Sequence, residues 1–387
     1  MVEQRLPDTL AAELGRLGAR RAASACFVPV EATEQLVAAA KRQASALDVM
    51  PAVMMVAGQP VILNETHGAL TDPFQHKRLA ELAARQGQAG PALVALNMDQ
   101  GGLAATVQSN RDDGRATEVF FWDGVPAMPQ GAPLQACQGR VFIPVAAGEQ
   151  GAVAIHSHGE PGAWGNHVVA CHLQRGSRLD LGVFCHGGQQ TTLAILAELE
   201  EGAVLNMWSM GRLVGLHRTH AVVLLGGAGA QYAWRGALGV MAHDDGACRL
   251  KVHHVAPHTR SMLRTRALAA EQGRLAFEGH VAIAQTAGGS EALVKSDGLL
   301  LNQGAWLESR PEFFIETDDV QCAHGATVGR LDQEALFYLR SRGLGERMAR
   351  RLLLHAQLQD VQEGVVKALE AMAQRMTDQL VEAILSS

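Results

Sequence analysis

The chain has 387 residues, of which 48% are apolar and 19% charged, so a buried core can repay the entropy of ordering and a disordered chain is excluded. A formal net charge of −6 argues against a nucleic-acid binder, because phosphate contacts need a basic face. The composition is unusual in having 41 Gly against 10 Phe, 5 Trp and 2 Tyr. This length suits about two or three ordinary domains, or one elongated repetitive domain.

Residues 1–91 are predicted to form an N-terminal, mostly helical module. Leucines recur at helical spacing within 8–47, and a short apolar strand is predicted over 51–63. An Asp-Pro pair then supplies the N-cap and the first position of a further helix over 72–84. The Gly90-Pro91 pair is a plausible boundary of this module.

The six cysteines lie far apart and contain no CxxC pair. The N-terminus has no apolar stretch of signal-peptide type, and no run of 18 uncharged apolar residues occurs, so we expect a cytoplasmic chain with no membrane partner. In a reducing compartment these cysteines are expected to be thiols, most of them buried. Any metal site would therefore combine scattered ligands or take some of them from another chain.

Residues 92–329 consist of short apolar runs that glycine, Asp or Asn interrupts every few positions. Gly176, Gly202, Gly226 and Gly246, for example, follow one another at similar but slightly irregular intervals. Irregular repetition near about 25 residues is typical of a right-handed parallel β-helix, whose coils are joined by turns. A β-sandwich with ordinary glycine turns fits the spacing nearly as well.

Residues 330–387 return to a helical pattern. Asp332 is predicted to cap a first helix, Gly343 to break it, and a second helix to begin near Glu346. Apolar residues then recur every three or four positions over 358–384 and form one continuous stripe. We expect this stripe to dock on the N-terminal helices or on another protein.

The sequence lacks the signatures of several enzyme classes. It contains no GxxxxGK[ST] phosphate loop, no GxSxG nucleophile elbow and no HExxH zinc motif. The glycine-rich run at 225–230 is not followed by a long helix that could hold a pyrophosphate. It is predicted to be a turn between coils.

Two pairs of potential metal ligands have one residue between them, which on a strand points both side chains to the same face. The pairs are His156 with His158 and Cys322 with His324. The adjacent pairs Cys171-His172 and Cys185-His186 place their side chains on opposite faces and are predicted to be poor chelates.

The favoured interpretation of His156 and His158 is a solvated loop pair, and that of the group at 253, 254 and 258 is also structural. Two ligands cannot hold an iron–sulfur cluster, which takes four Cys or a Cys/His mixture. If Cys322 and His324 bind a metal, the remaining ligands must come from another chain. This deduction favours a shared site at an interface over an independent metalloenzyme.

The segment from His254 to Val361 resembles a known family through several motifs. These are His254 with Ser261, GRLAFEGHVAIAQ at 273–285, Leu299-Leu300-Leu301, Pro311, DDVQCAHGATVG at 318–329 and FYLRSRG at 337–343. They resemble the SufB/SufD family of the SUF iron–sulfur cluster assembly system, and most of all its SufD branch. Residues 92–250 match the family only in the general character of the sequence, without specific motifs. The chain departs from the family pattern at 313–315, which reads Phe-Phe-Ile, and at Gln357.

The resemblance implies a right-handed parallel β-helix over 92–329, with a C-terminal helical domain at 330–387 that binds an ATPase partner. It implies a non-catalytic scaffold that meets a SufB-like chain through the β-helix and the SufC ATPase through the C-terminal helices. SufC would supply the ATP hydrolysis. A SufB-like scaffold acting as a homodimer with SufC is the alternative. A carbohydrate-active β-helix enzyme is disfavoured by the few aromatics and the lack of a carboxylate cluster.

The resemblance also implies site residues. His324 would lie at the SufB interface and help to form the nascent cluster, with Cys322 beside it on the same face. The metal would be iron or a nascent iron–sulfur cluster, held transiently and shared with the partner; the use of a flavin stays open. Four residues of the FYLRSRG segment are the implied partner-binding residues: Phe337, Tyr338, Arg340 and Arg342.

Overall fold

The computed structural model describes residues 53–56, 59–61, 103–107, 109, 114–123, 135–159, 163–187 and 190–386. The helices predicted within 8–47 and 72–84 lie outside these residues. The described strands are β1 (Val53–Val56), β2 (Gln59–Val61), β3 (Leu103–Thr106), β4 (Thr117–Asp123), β5 (Gln135–Val145), β6 (Gln150–Gly159), β7 (Ala163–Leu173), β8 (Arg178–Cys185), β9 (Gln190–Leu199), β10 (Val204–Arg212), β11 (Leu216–Leu225), β12 (Gln231–Val240), β13 (Asp245–His254), β14 (Arg260–Ala269), β15 (Arg274–Ile283), β16 (Ser290–Leu300), β17 (Trp306–Ile315) and β18 (Val320–Arg330). The described helices are α1 (Gln333–Ser341), α2 (Glu346–Leu358) and α3 (Lys367–Ser386), with a 3-10 turn at Gln359–Gln362 between the last two.

Successive strands alternate between two sheets. The even sheet has the order β18-β16-β14-β12-β10-β8-β6-β4-β1-β2, and the odd sheet has the order β17-β15-β13-β11-β9-β7-β5-β3. Every pairing between strands β3 to β18 is parallel, and each strand pairs with the strand two places on. This is a parallel β-helix, as predicted, and the β-sandwich alternative is wrong. Among the described helices, none is long and apolar enough to cross a membrane.

The strand predicted over 51–63 is present as two short strands. β1 and β2 form an antiparallel pair, and β1 also pairs antiparallel with β4. Although this segment belongs to the predicted N-terminal module, it extends the even sheet.

The length of each coil follows from the register of the strands. Val204 of β10 pairs with Arg178 of β8 and with Gln231 of β12. In the last coil, Ser290 of β16 pairs with Val320 of β18, which is a wider separation along the chain. The coils near the C-terminal end are therefore longer than the coil from β8 to β10, and all of these coils exceed the predicted repeat.

Glycine spacing indicated the correct fold, but the glycines do not mark one position in each coil. Gly176 and Gly202 occupy turns, with φ of 65° and 64°. Gly246 and Gly298 instead lie inside strands β13 and β16. An extended glycine within a strand leaves room for neighbouring side chains, and its presence does not indicate a turn.

The glycine-rich run at 225–230 joins β11 to β12, so the predicted turn between coils is confirmed. The N–H groups of Gly226 and Gly227 both donate to the carbonyl oxygen of Leu199 in the preceding coil, at 3.0 and 3.1 Å. A Cβ atom on Gly227 would lie 1.9 Å from the backbone nitrogen of Glu201. The turn therefore needs glycine at 227 because two backbones approach each other there.

Replacing Gly227 with alanine is expected to destabilise the chain by more than the matched replacement Gly229→Ala. Gly229 has φ of 70° but nothing within 4 Å of an added Cβ, so its replacement costs only the left-handed backbone penalty of about 1–2 kcal/mol. At Gly227 the backbones must also move apart. Urea denaturation of both variants measures the difference, and equal midpoints would contradict the close approach.

The first C-terminal helix begins and ends where the sequence predicts, and the second begins at the predicted residue; a 3-10 turn then separates α2 from α3 within the predicted stripe. Oδ1 of Asp332 accepts hydrogen bonds from the backbone N–H groups of Glu334 and Ala335, at 2.9 and 3.0 Å, and so caps α1. Gly343, with φ of 90°, follows the end of α1, and α2 begins at Glu346.

The apolar stripe of the C-terminal segment packs on the outer face of the even sheet. Leu369, Met376 and Leu380 of α3 share a buried core with residues of β8 and β10, among them Phe184 and Trp208. The prediction that this stripe docks on the N-terminal helices or on another protein is therefore wrong for these buried residues. A central strand that is buried on both faces appears in the sequence as a continuous apolar run. The sequence alone therefore does not show which of its apolar residues face outward.

A charged contact also ties the helical segment to the even sheet. The Arg266 guanidinium donates to both carboxylate oxygens of Asp360, with Nε–Oδ1 at 2.9 Å and Nη2–Oδ2 at 2.6 Å. Its Nη1 lies 2.7 Å from Oδ2 of Asp297, whose Oδ1 accepts from the Thr327 hydroxyl at 2.5 Å. We call this connection the Arg266 bridge.

Candidate functional site

The last coil, formed by β17 and β18, ends both sheets. Within the described part of the chain, no strand pairs with the outer edge of either one. From Val320 to Gly329, β18 carries no Asp, Glu, Lys or Arg, whereas β17 contains Pro311 and several charged residues. Natural proteins usually protect an open edge with charge, proline or a covering element. A long, uncharged and exposed edge such as β18 is typical of a surface that pairs with another chain.

Cys322 and His324 lie on β18 and face the same side, as predicted. Their register partners on β16 are Ala292 and Val294, whose side chains belong to the interior core. Cys322 is half-buried against that core, while His324 is exposed and its ring stacks on Phe313 at 5.2 Å between centroids. The open end of the β-helix therefore presents a thiol and an imidazole from its last strand.

The two side chains form a partial metal site. Burial raises the pKa of the Cys322 thiol, and a backbone hydrogen bond with Ala292 only partly opposes that effect. The thiol is therefore protonated at neutral pH, and binding a metal ion there must release its proton. Within the described residues, no group of three or more His, Cys, Asp or Glu side chains is arranged to hold a metal ion. Cys322 and His324 can supply at most two ligands.

The exposed apolar side chains of the helical segment are concentrated on α1 and α2. Phe337 is 74% exposed and Tyr338 is 56% exposed, so neither contributes to the fold as a core residue. The Arg342 guanidinium lies 5.2 Å from the centre of the Tyr338 ring, and Arg340 pairs with Glu346 at 3.7 Å. Aromatic and arginine side chains presented together are typical of a protein-binding surface.

Comparison with known proteins identifies the family of this chain. The family described as "SUF system FeS cluster assembly, SufBD core domain" matches residues 128–357, a range that includes strands β5 to β18 and most of α2. The chain belongs to the SufBD family. It is thus a member of a family of SUF-system iron–sulfur cluster assembly proteins, and the resemblance in the motifs is confirmed.

Individual relatives match over shorter segments. The iron–sulfur cluster assembly protein SufD of Escherichia coli is 33% identical over 116 residues, which are 30% of this chain and 25% of that protein. A SufBD family protein of Synechocystis is 36% identical over 100 residues, 26% of this chain and 22% of the relative. One of Mycobacterium tuberculosis is 39% identical over 103 residues, 27% of this chain and 12% of the relative. The matched segments thus span a quarter or less of these relatives.

Cys322 is expected to be the most reactive thiol among the described cysteines of this SufBD chain. Cys171, Cys185 and Cys248 are buried, and burial raises the pKa of the first two to about 12. Iodoacetamide should therefore modify Cys322 in the native protein and spare those three, at a rate that increases with pH because the thiolate is the nucleophile. Peptide mapping by mass spectrometry after timed alkylation measures this; equal labelling of Cys171 would contradict the structure. The side chains of Cys26 and Cys137 lie outside the described residues.

The interpretation of His156 and His158 as a solvated loop pair is wrong. Both lie on β6, which continues to Gly159, and His156 is 5% exposed. Cys185 and His186 do face opposite sides, because Cys185 belongs to the interior core. The sequence interpretation missed that His186 lies beside the β6 histidines in the next coil. The separation of His158 from His186 along the chain equals the length of the coil from β6 to β8, and this match is the sequence signal that could have found the contact.

His254 has a structural role, as expected for the group at 253, 254 and 258. Its ring nitrogens lie 2.8 Å from the hydroxyl oxygens of Thr259 and Ser261. Burial lowers the pKa of His254 to about 4, so this ring is neutral at pH 7. The SufBD motif that combines His254 with Ser261 therefore corresponds to a buried hydrogen bond across the turn from β13 to β14.

Proposed function

We propose that this chain is a SufD-like scaffold subunit of a SufB–SufC–SufD complex that assembles iron–sulfur clusters. One observation carries the proposal: the open, uncharged edge strand β18 carries Cys322 and His324 at the end of the β-helix. The family membership supplies the class of cargo, a nascent iron–sulfur cluster. The chain contributes the surfaces and ligands, and SufC supplies ATP hydrolysis.

The partner at the β18 edge is a SufB-like chain. An added strand would satisfy the unpaired backbone N–H and C=O groups of β18, which is how sheet edges recognise other chains. Phe314 is 59% exposed, and Ile315 and Val328 are 42% and 48% exposed, so apolar area flanks the edge. These side chains gain free energy when a partner covers them. The departure from the family pattern at 313–315 thus falls within the proposed interface.

The nascent cluster, as cargo, would be held between the two chains. His324 offers an imidazole nitrogen, a borderline ligand suited to iron, and Cys322 offers a sulfur once its proton is lost. An iron–sulfur cluster needs four ligands, so the partner must provide the others. Separation of the two chains would leave the cargo with only half of its ligands, which favours its release.

The second partner is a SufC ATPase on the surface of α1 and α2. Phe337, Tyr338, Arg340 and Arg342 are the residue types that dominate the binding energy of protein interfaces. The helices behind them are fixed to the even sheet by the core around Leu380 and by the Arg266 bridge. A rigid support of this kind lowers the entropic cost of binding a partner.

The experiment is co-expression of this chain with SufB-like and SufC chains, followed by purification and assay of iron and sulfide. His324→Ala is expected to leave the complex assembled but to abolish cluster formation, because only a ligand is removed from an exposed position. His243→Ala, at a histidine elsewhere on the surface, is the matched control and should retain the cluster. Normal cluster yield in His324→Ala would refute the assigned role.

The same purification tests the two partner surfaces separately. Phe337→Asp with Tyr338→Asp should lose SufC and keep the SufB-like chain, whereas Val328→Lys with Phe314→Asp should do the reverse. Undiminished recovery of SufC with the first pair would refute docking on α1. A homodimer of this chain bound to SufC, found by native mass spectrometry in the presence of the SufB-like chain, would favour the SufB-like alternative.

A further inference from the structure

Three histidines meet on the outer face of the even sheet, far from β18. His156 and His158 project from β6, and His186 follows the end of β8. The N–H of His186 donates to the carbonyl oxygen of Ser157, which aligns His186 with His158 in the next coil. We call these three side chains the histidine cluster. It lies six strand positions from β18, or about 29 Å at the usual strand spacing.

The rings of the histidine cluster are in direct contact. Nδ1 of His156 and Nε2 of His186 are 2.8 Å apart. The rings of His158 and His186 stack with 4.3 Å between centroids and 2° between planes. Phe120 stacks on His156 at 4.3 Å. Contacts with neighbouring rings therefore hold the side chains of His156 and His186 in the orientation that brings these two nitrogens close together.

The nitrogens of the histidine cluster are available as ligands. Burial, followed by the charges of the other histidines and of Arg375, lowers the pKa of His156 to about 3. Burial and nearby charges lower the pKa of His186 to about 4. Both imidazoles are thus neutral at pH 7, the form that binds a metal. Nε2 of His156, the ring nitrogen that does not face His186, is buried and has no hydrogen-bond partner among the described residues, so packing alone leaves one polar atom of the cluster unsatisfied.

The nitrogen separation fits one coordination geometry. Two nitrogens bound to one ion at 2.0–2.1 Å lie about 2.9 Å apart at a right angle and about 3.3 Å apart at the tetrahedral angle. The observed 2.8 Å is a hydrogen bond between the two rings in the metal-free chain, and it is close to the separation of neighbouring positions of an octahedron. The described residues contain no preformed three-ligand group, so the pair is the prepared part of the site. His158 must give up its stacking on His186 and turn its ring to add a third nitrogen.

We propose that His156 and His186, joined by His158, bind a divalent transition-metal ion in octahedral coordination completed by water. Neutral imidazoles select iron, nickel, copper or zinc class ions over magnesium and calcium. On binding, the proton between the two nitrogens moves to the other ring nitrogen of its imidazole, so both rings stay neutral. This site is separate from Cys322 and His324 and does not depend on the proposed scaffold function.

The test uses Co²⁺ as the probe on the full chain, purified without a histidine tag, treated with chelator and carrying Cys322→Ser and His324→Ala. Calorimetry and the visible spectrum of bound Co²⁺ should show one site with octahedral character. His156→Phe keeps an aromatic ring between Phe120 and Phe184 but removes the ligand, and is expected to weaken Co²⁺ binding by at least about tenfold. His243→Gln, at a histidine elsewhere on the surface, is the control and should bind normally.

Two further variants keep the result interpretable. If His156→Phe does not fold, His186→Gln at the half-buried position provides the same test. Arg375→Gln should tighten Co²⁺ binding, because its positive charge opposes a cation near His156, an effect that ring packing alone would not produce. Absence of Co²⁺ binding in the parent chain, or unchanged affinity in both histidine variants, would overturn the proposal and leave the cluster as a packed aromatic stack only.

Discussion

Acidification from pH 7 to pH 5 is expected to lower the free energy of unfolding by as much as about 10 kcal/mol. The cause is a set of buried or half-buried histidines whose pKa values burial lowers from 6.5 to between about 3 and about 4. They are His156, His186, His217, His220 and His254. In the unfolded chain they bind protons below pH 6.5, whereas in the folded chain they stay neutral. The unfolded state therefore binds more protons in this window, and stability falls as the pH falls.

The magnitude follows from the number of protons taken up on unfolding. Each neutral buried histidine contributes about 1.4 kcal/mol per pH unit below 6.5, down to its folded pKa. Urea denaturation followed by circular dichroism at pH 7.5, 6.0 and 5.0 measures the slope. His254→Gln removes one of these groups and should reduce the dependence by about one proton. Denaturation midpoints that do not change between pH 7.5 and 5.0 would contradict the neutral, buried state of these rings.

Replacing Trp234 with alanine is expected to destabilise the chain by about 3–5 kcal/mol. Trp234 is fully buried inside the β-helix, and its ring stacks on Phe277 with 5.5 Å between centroids. Its Nε1 donates to the Ser209 hydroxyl in the neighbouring coil at 2.9 Å. The backbone hydrogen bonds of both sheets hold the coil walls in place, so the interior cannot collapse to fill the cavity.

The matched control for this variant is Trp306→Ala. Trp306 lies in the last coil, half-buried, with the Arg274 guanidinium 4.7 Å from the ring centre. Trp306→Ala should lower the free energy of unfolding by about 1 kcal/mol, the value typical of a partly exposed contact. Guanidinium chloride denaturation of both variants provides the comparison. A cost for Trp234→Ala no larger than that for Trp306→Ala would show that the interior is not tightly packed.

Much of the fold, and the placement of Cys322 and His324 on one face of β18, could be predicted from the sequence. Glycine-interrupted apolar runs indicated a β-helix or a sandwich, and the motifs at 318–329 decided between them. The spacing of Cys322 and His324 placed both on one face because side chains on a strand alternate, a rule that needs no knowledge of the neighbouring coils. The cap at Asp332 is similarly local, because it depends only on the next three residues.

The contacts that could not be predicted all depend on the length of a coil. His186 lies beside His158 only because the coil from β6 to β8 has the same length as their separation, and a shift of the register by a single position would turn the side chain to the opposite face. Turns of variable length separate the strands, so the spacing of glycines does not fix the register. The docking of α3 was missed for a related reason: the outward apolar residues of β8 and β10 cannot be distinguished from inward ones in a continuous apolar run.

The Arg266 bridge links the helical segment to the last coils of the β-helix. A planar guanidinium that grips both oxygens of Asp360 tolerates little sliding, so α2 and α3 cannot shear across the even sheet without breaking this contact. Through Asp297 the same group is connected to Thr327, which follows His324 on the free edge. A force applied to the helices therefore has a path through these side chains to the edge strand.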